Sequence, residues 1–167
     1  MGFPVIERPA KSYGSRRGAD PRVVVLHHTG GSGNVENEVR YLQSNPAGVS
    51  IHVCIAKDGT RYRMVGDEYA AYHVGHSKVG SLGSPNMVSL GIELINTGSK
   101  GNPDPWPTTQ VDSTAEQVAE WMWKYPMIQM VTSHAGIDTR GKYDPWWFPW
   151  DRFWRLLARH ISAMENK

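Results

Sequence analysis

The sequence predicts an α/β fold, a single domain with a central mixed β-sheet flanked by helices. Three observations lead there. Short apolar runs, at 23–26, 50–56 and 88–96, read as strands. Two later segments carry apolar residues at helical spacing. Strands alternating with helices give a sheet covered by helices, and 167 residues suit one domain. A chain of this size buries roughly 70% of its unfolded surface, enough for a core without staples.

Taken in order, residues 1–20 are polar and carry Pro4, Pro9, Gly14 and Gly18; they read as an arm laid over the domain that occupies 21–167. Residues 23–26 (VVVL) form a central strand, followed by His27 and His28. Side chains alternate along a strand, so these two histidines are expected on opposite faces. Residues 29–33 (TGGSG) are a flexible loop. Val35, Val39 and Leu42 mark a helix over 34–43 with Asn34 as its cap. SIHVCIA at 50–56 is a strand, KDGT a hairpin turn, and 61–65 its partner. Residues 66–87 read as loop, and 88–96 (VSLGIELIN) as a core strand that contains Glu93.

Residues 97–107 are again loop. Val111, Ala115, Val118, Met122 and Tyr125 then form the clearest amphipathic stripe, a helix over 109–125. Thr108 or the Ser113-x-x-Glu116 box could begin it. A short strand at 128–132 leads to His134. Trp150, Phe153, Trp154, Leu157, Ile161 and Met164 form the final helical stripe, which places Trp121, Trp150 and Trp154 in the core.

Composition excludes several functions. Eighteen basic against sixteen acidic residues is too balanced for nucleic acid, and no Lys/Arg run stands out. No stretch approaches ~20 apolar residues, so no membrane insertion is expected. The single cysteine, Cys54, has no disulfide partner and reads as a small buried residue. The N-terminal stretch lacks the apolar core of a secretory signal, and Ile6 breaks the myristoylation pattern, so cytoplasmic synthesis is expected.

The chemistry centres on SHAGIDTRGKYD at 133–144, where His134 and Asp144 are both good zinc ligands. Two ligands do not make a site, and the histidines after the first strand are the obvious source of a third. Taken alone, a histidine ending a strand is more often a packed or hydrogen-bonded residue.

At this point five segments, VVVLHHTGG, SIHVCIAKDGT, AAYHVGHS, NMVSLGIELIN and SHAGIDTRGKYDP, follow one another in an order that resembles the zinc amidases of the N-acetylmuramoyl-L-alanine amidase type. That family includes phage lysozyme-like amidases, bacterial cell-wall amidases and the peptidoglycan recognition proteins. The resemblance covers roughly 22–154. It implies zinc held by His27, His134 and Asp144, with a fourth position open as in catalytic zinc sites. It implies Glu93 as general base, because the tyrosine used by the phage-lysozyme branch is replaced here by Ile51. It implies Lys142 as the oxyanion-stabilising group. His73, in a segment where Tyr72 replaces the usual tryptophan, is expected to contact substrate or brace the site, and Asn86 to order its loop. Trp146 stands where the family's glycine belongs, so a differently shaped groove with an aromatic contact to substrate is expected there.

The residues leave rivals open. Glu93 could be paired with an arginine, and Lys142 could be a solvated loop lysine. His28 and His52 are expected to be satisfied structural residues, and His76 and His160 to lie at the surface. The implied function is hydrolysis of the amide between N-acetylmuramic acid and L-alanine in peptidoglycan, by a monomer. The implied setting is a phage endolysin that reaches the wall through holin lesions. Alternatives are a muropeptide-recycling amidase, a non-catalytic peptidoglycan-binding module and a zinc peptidase acting within the stem peptide.

Overall fold

The computed structural model describes residues 2–166. Its main sheet is built from β1 (Val5–Glu7), β3 (Val23–His28), β4 (Val53–Ile55), β5 (Arg61–Arg63), β7 (Ser89–Leu94) and β8 (Met130–Ser133), in the spatial order β1-β5-β4-β7-β3-β8. Strand β3 lies parallel to β7 and β8, and β7 parallel to β4, whereas β4 and β5 form an antiparallel hairpin. A separate ribbon pairs β2 (Gly14–Ser15) with β6 (Tyr69–Ala70). The sheet is therefore mixed, and its centre is parallel and buried on both faces, as continuous apolar runs require.

The helices divide between the faces. On one face, α3 (Thr108–Lys124) and α5 (Trp150–Glu165) pack Val111, Ala115, Val118, Phe153 and Leu157 against Val24, Leu26, Leu90, Ile92 and Leu94. Each such Val, Leu, Ile or Phe side chain contributes roughly 1.5–3 kcal/mol on burial. On the other face, α1 (Val35–Gln43) packs Val39 and Leu42 against Ile51, Cys54 and Ile95. Asn34 caps α1, accepting from the Asn37 amide at 3.0 Å. Cys54 is fully buried, and burial pushes its thiol well above the ordinary value, so it is inert packing.

Several expectations need correction. The arm is part of the fold: β1 adds a parallel edge strand to β5. Arg16 buries its guanidinium and donates to the carbonyls of Asp67, Met87 and Ser89. Too short to show a period, these segments carry no strand signal of their own. The strand expected over 50–56 is regular only at Val53–Ile55, because the His52 carbonyl takes the amides of both Met64 and Val65. Helix α3 starts at Thr108, and Ser113 and Glu116 are not a cap. Ser113 donates to the Gly59 carbonyl, and both residues accept from the buried Arg61. The 66–87 loop contains β6, a 3₁₀ turn at Gly80–Leu82 and the short α2 (Pro85–Val88). Trp154 is 44% exposed and stacks on Trp150, outside the core. His160 is half-buried rather than exposed, its Nε2 2.7 Å from Asp112 Oδ1. Among the described residues, no helix is long and apolar enough to cross a membrane.

Candidate metal centre and active site

Register creates the site. In the β3–β7 pairing His27 lies opposite Glu93, and Cys54 lies opposite Glu93 in turn, so these residues share the face away from α3 and α5. Strand β8 runs alongside β3 and ends at Ser133, whose side chain caps the single turn α4 (His134–Ile137) by accepting from the Gly136 amide. His134 is thereby delivered beside His27. The loop after α4 returns Asp144, and the Ala135 amide donates to the Asp144 carbonyl at 2.9 Å.

Three ligand atoms then form an equilateral triangle. His27 Nδ1, His134 Nδ1 and Asp144 Oδ2 are each 3.1 Å from the other two. A regular tetrahedron of that edge has its centre about 1.9 Å from each corner, close to the ~2.0–2.2 Å bonds zinc makes to imidazole and carboxylate. Two imidazole nitrogens and a carboxylate crowd their lone pairs together here, and a central cation satisfies all three. The donor set fits zinc.

The outer ring nitrogens are also placed. His27 Nε2 lies 2.8 Å from His73 Nδ1, and His73 Nε2 lies 3.0 Å from Ser89 Oγ. His134 Nε2 faces Asp138 Oδ1 at 3.8 Å. Burial pushes His27 and His73 below the ordinary histidine value, so both stay neutral. Burial opposes ionisation of Asp144, yet His134 and His27 beside it hold its carboxyl well below the usual carboxylate range.

A cleft of about 410 Å³ opens over the triangle, and Glu93, Lys142, Tyr143, His28 and Glu38 line it. A second, of about 630 Å³, shares Val49, His73, His134 and Lys142 with the first, so the two form one groove across the site. Burial, reinforced by the Asp144 charge and opposed by Lys142, pushes the Glu93 carboxyl up to about 8. A carboxyl that titrates near neutrality in a cleft beside these three donor side chains is suited to moving protons.

Residues 17–147 match the N-acetylmuramoyl-L-alanine amidase family. The chain belongs to that family. It is therefore a peptidoglycan amidase. No curated protein sequence matches the chain. Among solved structures, the fold is similar to a selenomethionine derivative of AmpD (24% identity, TM-score 0.72, covering 93% of this chain and 94% of that one). It is also similar to AmiD from E. coli, solved with anhydro-N-acetylmuramic acid-L-Ala-D-gamma-Glu-L-Lys (23% identity, TM-score 0.69, 89% of this chain and 60% of that one). A third is the Ph2119 endolysin of a Thermus scotoductus MAT2119 bacteriophage (21% identity, TM-score 0.69, 92% of this chain and 98% of that one).

The amidase brings together His27, His134, Asp144, Glu93 and Lys142 along one cleft. Other sequence-derived site residues fall differently. His73 borders the groove, but both its ring nitrogens face protein partners. Asn86 uses its Oδ1 to accept the amides of His73 and Val74, at 3.2 and 3.1 Å. Trp146 does not reach either cleft: its amide donates to His28 Nδ1, its carbonyl accepts from Trp106 Nε1, and its indole nitrogen is enclosed without a partner. The left-handed backbone that suits a glycine falls one residue later, on Trp147 (φ 54), whose side chain is 71% exposed. His28 points away from the triangle, as alternation requires, and ties the Gly98 and Trp146 segments together.

Sequence reasoning missed Asp138. Its Oδ1 lies 3.8 Å from His134 Nε2, and its Oδ2 accepts from the Arg140 and Lys142 amides at 2.6 and 3.0 Å, so one carboxylate sits beside His134 and shapes the turn carrying Lys142. The usable signal was an acid four residues after His134, one helical turn on. Ser89 and Gly91, on the same face of β7 as Glu93, were missed as well.

Proposed function

We propose that this amidase binds zinc through His27 Nδ1, His134 Nδ1 and Asp144 Oδ2, and cleaves the amide between the lactyl group of N-acetylmuramic acid and L-alanine. The observation that carries the reading is the 3.1 Å triangle, with Glu93 and Lys142 lining the cleft above it. Zinc at this position supplies a Lewis acid that polarises a carbonyl and lowers the pKa of a water from ~16 to about 7. Glu93 takes a proton from the attacking water and delivers it to the departing L-alanine amine. Lys142 places its ammonium against the oxyanion of the tetrahedral intermediate. Two clefts, of about 410 and 630 Å³, meet at His134 and Lys142, and one would take the glycan and the other the stem peptide. We read the enzyme as a monomeric wall-degrading amidase of the endolysin type, released to its substrate through membrane lesions; its fold is shared with the Ph2119 endolysin.

Digestion of purified peptidoglycan tests the reading. New N-terminal alanine, lost with a chelator and restored by zinc, is the expected outcome. New amines solely from within the stem peptide would indicate a peptidase, and intact binding with no new amine would indicate a binding module.

A further inference from the structure

Strand β7 shows its face alternation in the sequence Ser89-Leu90-Gly91-Ile92-Glu93-Leu94. Leu90, Ile92 and Leu94 enter the core beneath α3 and α5. Glu93 lines the cleft. Ser89 and Gly91, on that same face, lie outside the lining of both clefts and have no place in the chemistry above. Both act on His73. A Cβ at Gly91 would sit 2.6 Å from His73 Nδ1 and 2.6 Å from Ile51 Cδ1, so glycine here clears the space the imidazole occupies. Ser89 is fully buried, and its hydroxyl meets His73 Nε2.

Proton placement follows along this chain. His27 turns Nδ1 to the triangle, so Nε2 carries its proton and donates to His73 Nδ1 at 2.8 Å. A neutral His73 that accepts at Nδ1 has its proton on Nε2, which donates to Ser89 Oγ at 3.0 Å. The other His73 tautomer would set its Nδ1–H against His27 Nε2–H, whichever role the Ser89 hydroxyl took. Asn86 fixes the same residue from its backbone side. Both ring nitrogens of His73 are thus committed, and none is left for substrate.

We propose that Ser89 is a positioning residue for the metal ligand His27, acting through His73. It anchors the far end of the His73 ring by accepting from Nε2–H, which keeps the His73 Nδ1 lone pair on His27 Nε2–H and so holds the His27 Nδ1 lone pair toward zinc. The two histidine ligands then have different neighbours, His27 a neutral imidazole backed by a hydroxyl and His134 the Asp138 carboxylate at 3.8 Å. Outer partners of metal-bound histidines typically change affinity 10–100-fold when removed.

The inference rests on the zinc reading, and one experiment separates the two. Zinc affinity is measured by competition with a chromophoric chelator for the wild type, Ser89→Ala, His73→Asn and His73→Phe, beside the melting temperature of each metal-free protein. Ser89→Ala is expected to weaken zinc about tenfold or more, beside a fall of several degrees in the metal-free melting temperature because the buried His73 Nε2–H loses its acceptor. His73→Asn, whose Oδ1 can accept where Nδ1 did, is expected to bind zinc more tightly than His73→Phe. Wild-type affinity in Ser89→Ala would overturn the proposal. So would equal losses in His73→Asn and His73→Phe. A wild type that fails to hold zinc would remove the zinc reading itself, and this inference with it.

Discussion

The two faces of β7 are made from one six-residue strand and obey opposite rules. Toward α3 and α5, Leu90, Ile92 and Leu94 are fully buried among aliphatic and aromatic neighbours. There, volume decides, and any residue that fills the space without strain will serve. Toward the cleft, Ser89, Gly91 and Glu93 contribute almost no apolar burial. Each is defined by one atom or its absence: a hydroxyl on His73, room for a ring, a carboxyl pushed up to about 8. The core face supplies stability that the site face does not, and a rigid strand lets side chains on its far side hold orientation.

Substitutions on the two sides test that division. The largest effect is expected at the triangle: Asp144→Ala should lose zinc on metal analysis and bring release of N-terminal alanine to background. Next comes Glu93→Ala, expected to keep stoichiometric zinc and lower turnover by about 10²–10⁴-fold. Activity surviving that change would move the proton role elsewhere on the site face. On the core face, Leu90→Ala should cost about 2–5 kcal/mol in chemical denaturation. Turnover per folded molecule, assayed well below the melting temperature, should stay near wild type. A large kinetic defect there would break the comparison, because it would show that the two faces are not independent.

A last test concerns stability and pH. In metal-free protein the folded-state value of Glu93 is about 8, against 4.5 in the reference state. Below pH 4.5 both states hold the proton and no penalty exists. Between 4.5 and 8 the unfolded chain releases it first, so stability falls as pH rises, and above 8 the penalty is constant. Glu93→Gln should therefore leave the metal-free melting temperature unchanged near pH 4. Near pH 9 it should raise it by roughly 2–4 °C for each ~1 kcal/mol recovered. Equal shifts at both pH values would mean that packing, not charge, separates the variants.

Legibility followed the range of the forces. The apolar runs of β3 and β7, the stripes of α3 and α5, the Asn34 cap and the hairpin at Gly59 were all readable, because each depends on neighbours within a few residues. The arm was not, because β1 is a strand only by virtue of β5 and Arg16 has meaning only against distant carbonyls. Glu116 read as a local cap and proved to be an ion-pair partner of Arg61, where a tertiary contact outweighed a local motif.

By itself, the sequence determined which residue types could serve the chemistry, and that His27 and His28 must part company across the sheet. Side-chain alternation is a local property of any strand. Tertiary structure decided the rest. It brought His27 and His134, 107 positions apart, to 3.1 Å. It set Glu93 opposite His27, withdrew Trp146 from the groove, and put Ser89 against His73 and Asp138 beside His134. Register between distant strands and closure of the loop after α4 depend on packing summed over the whole domain, and no local pattern contains that sum.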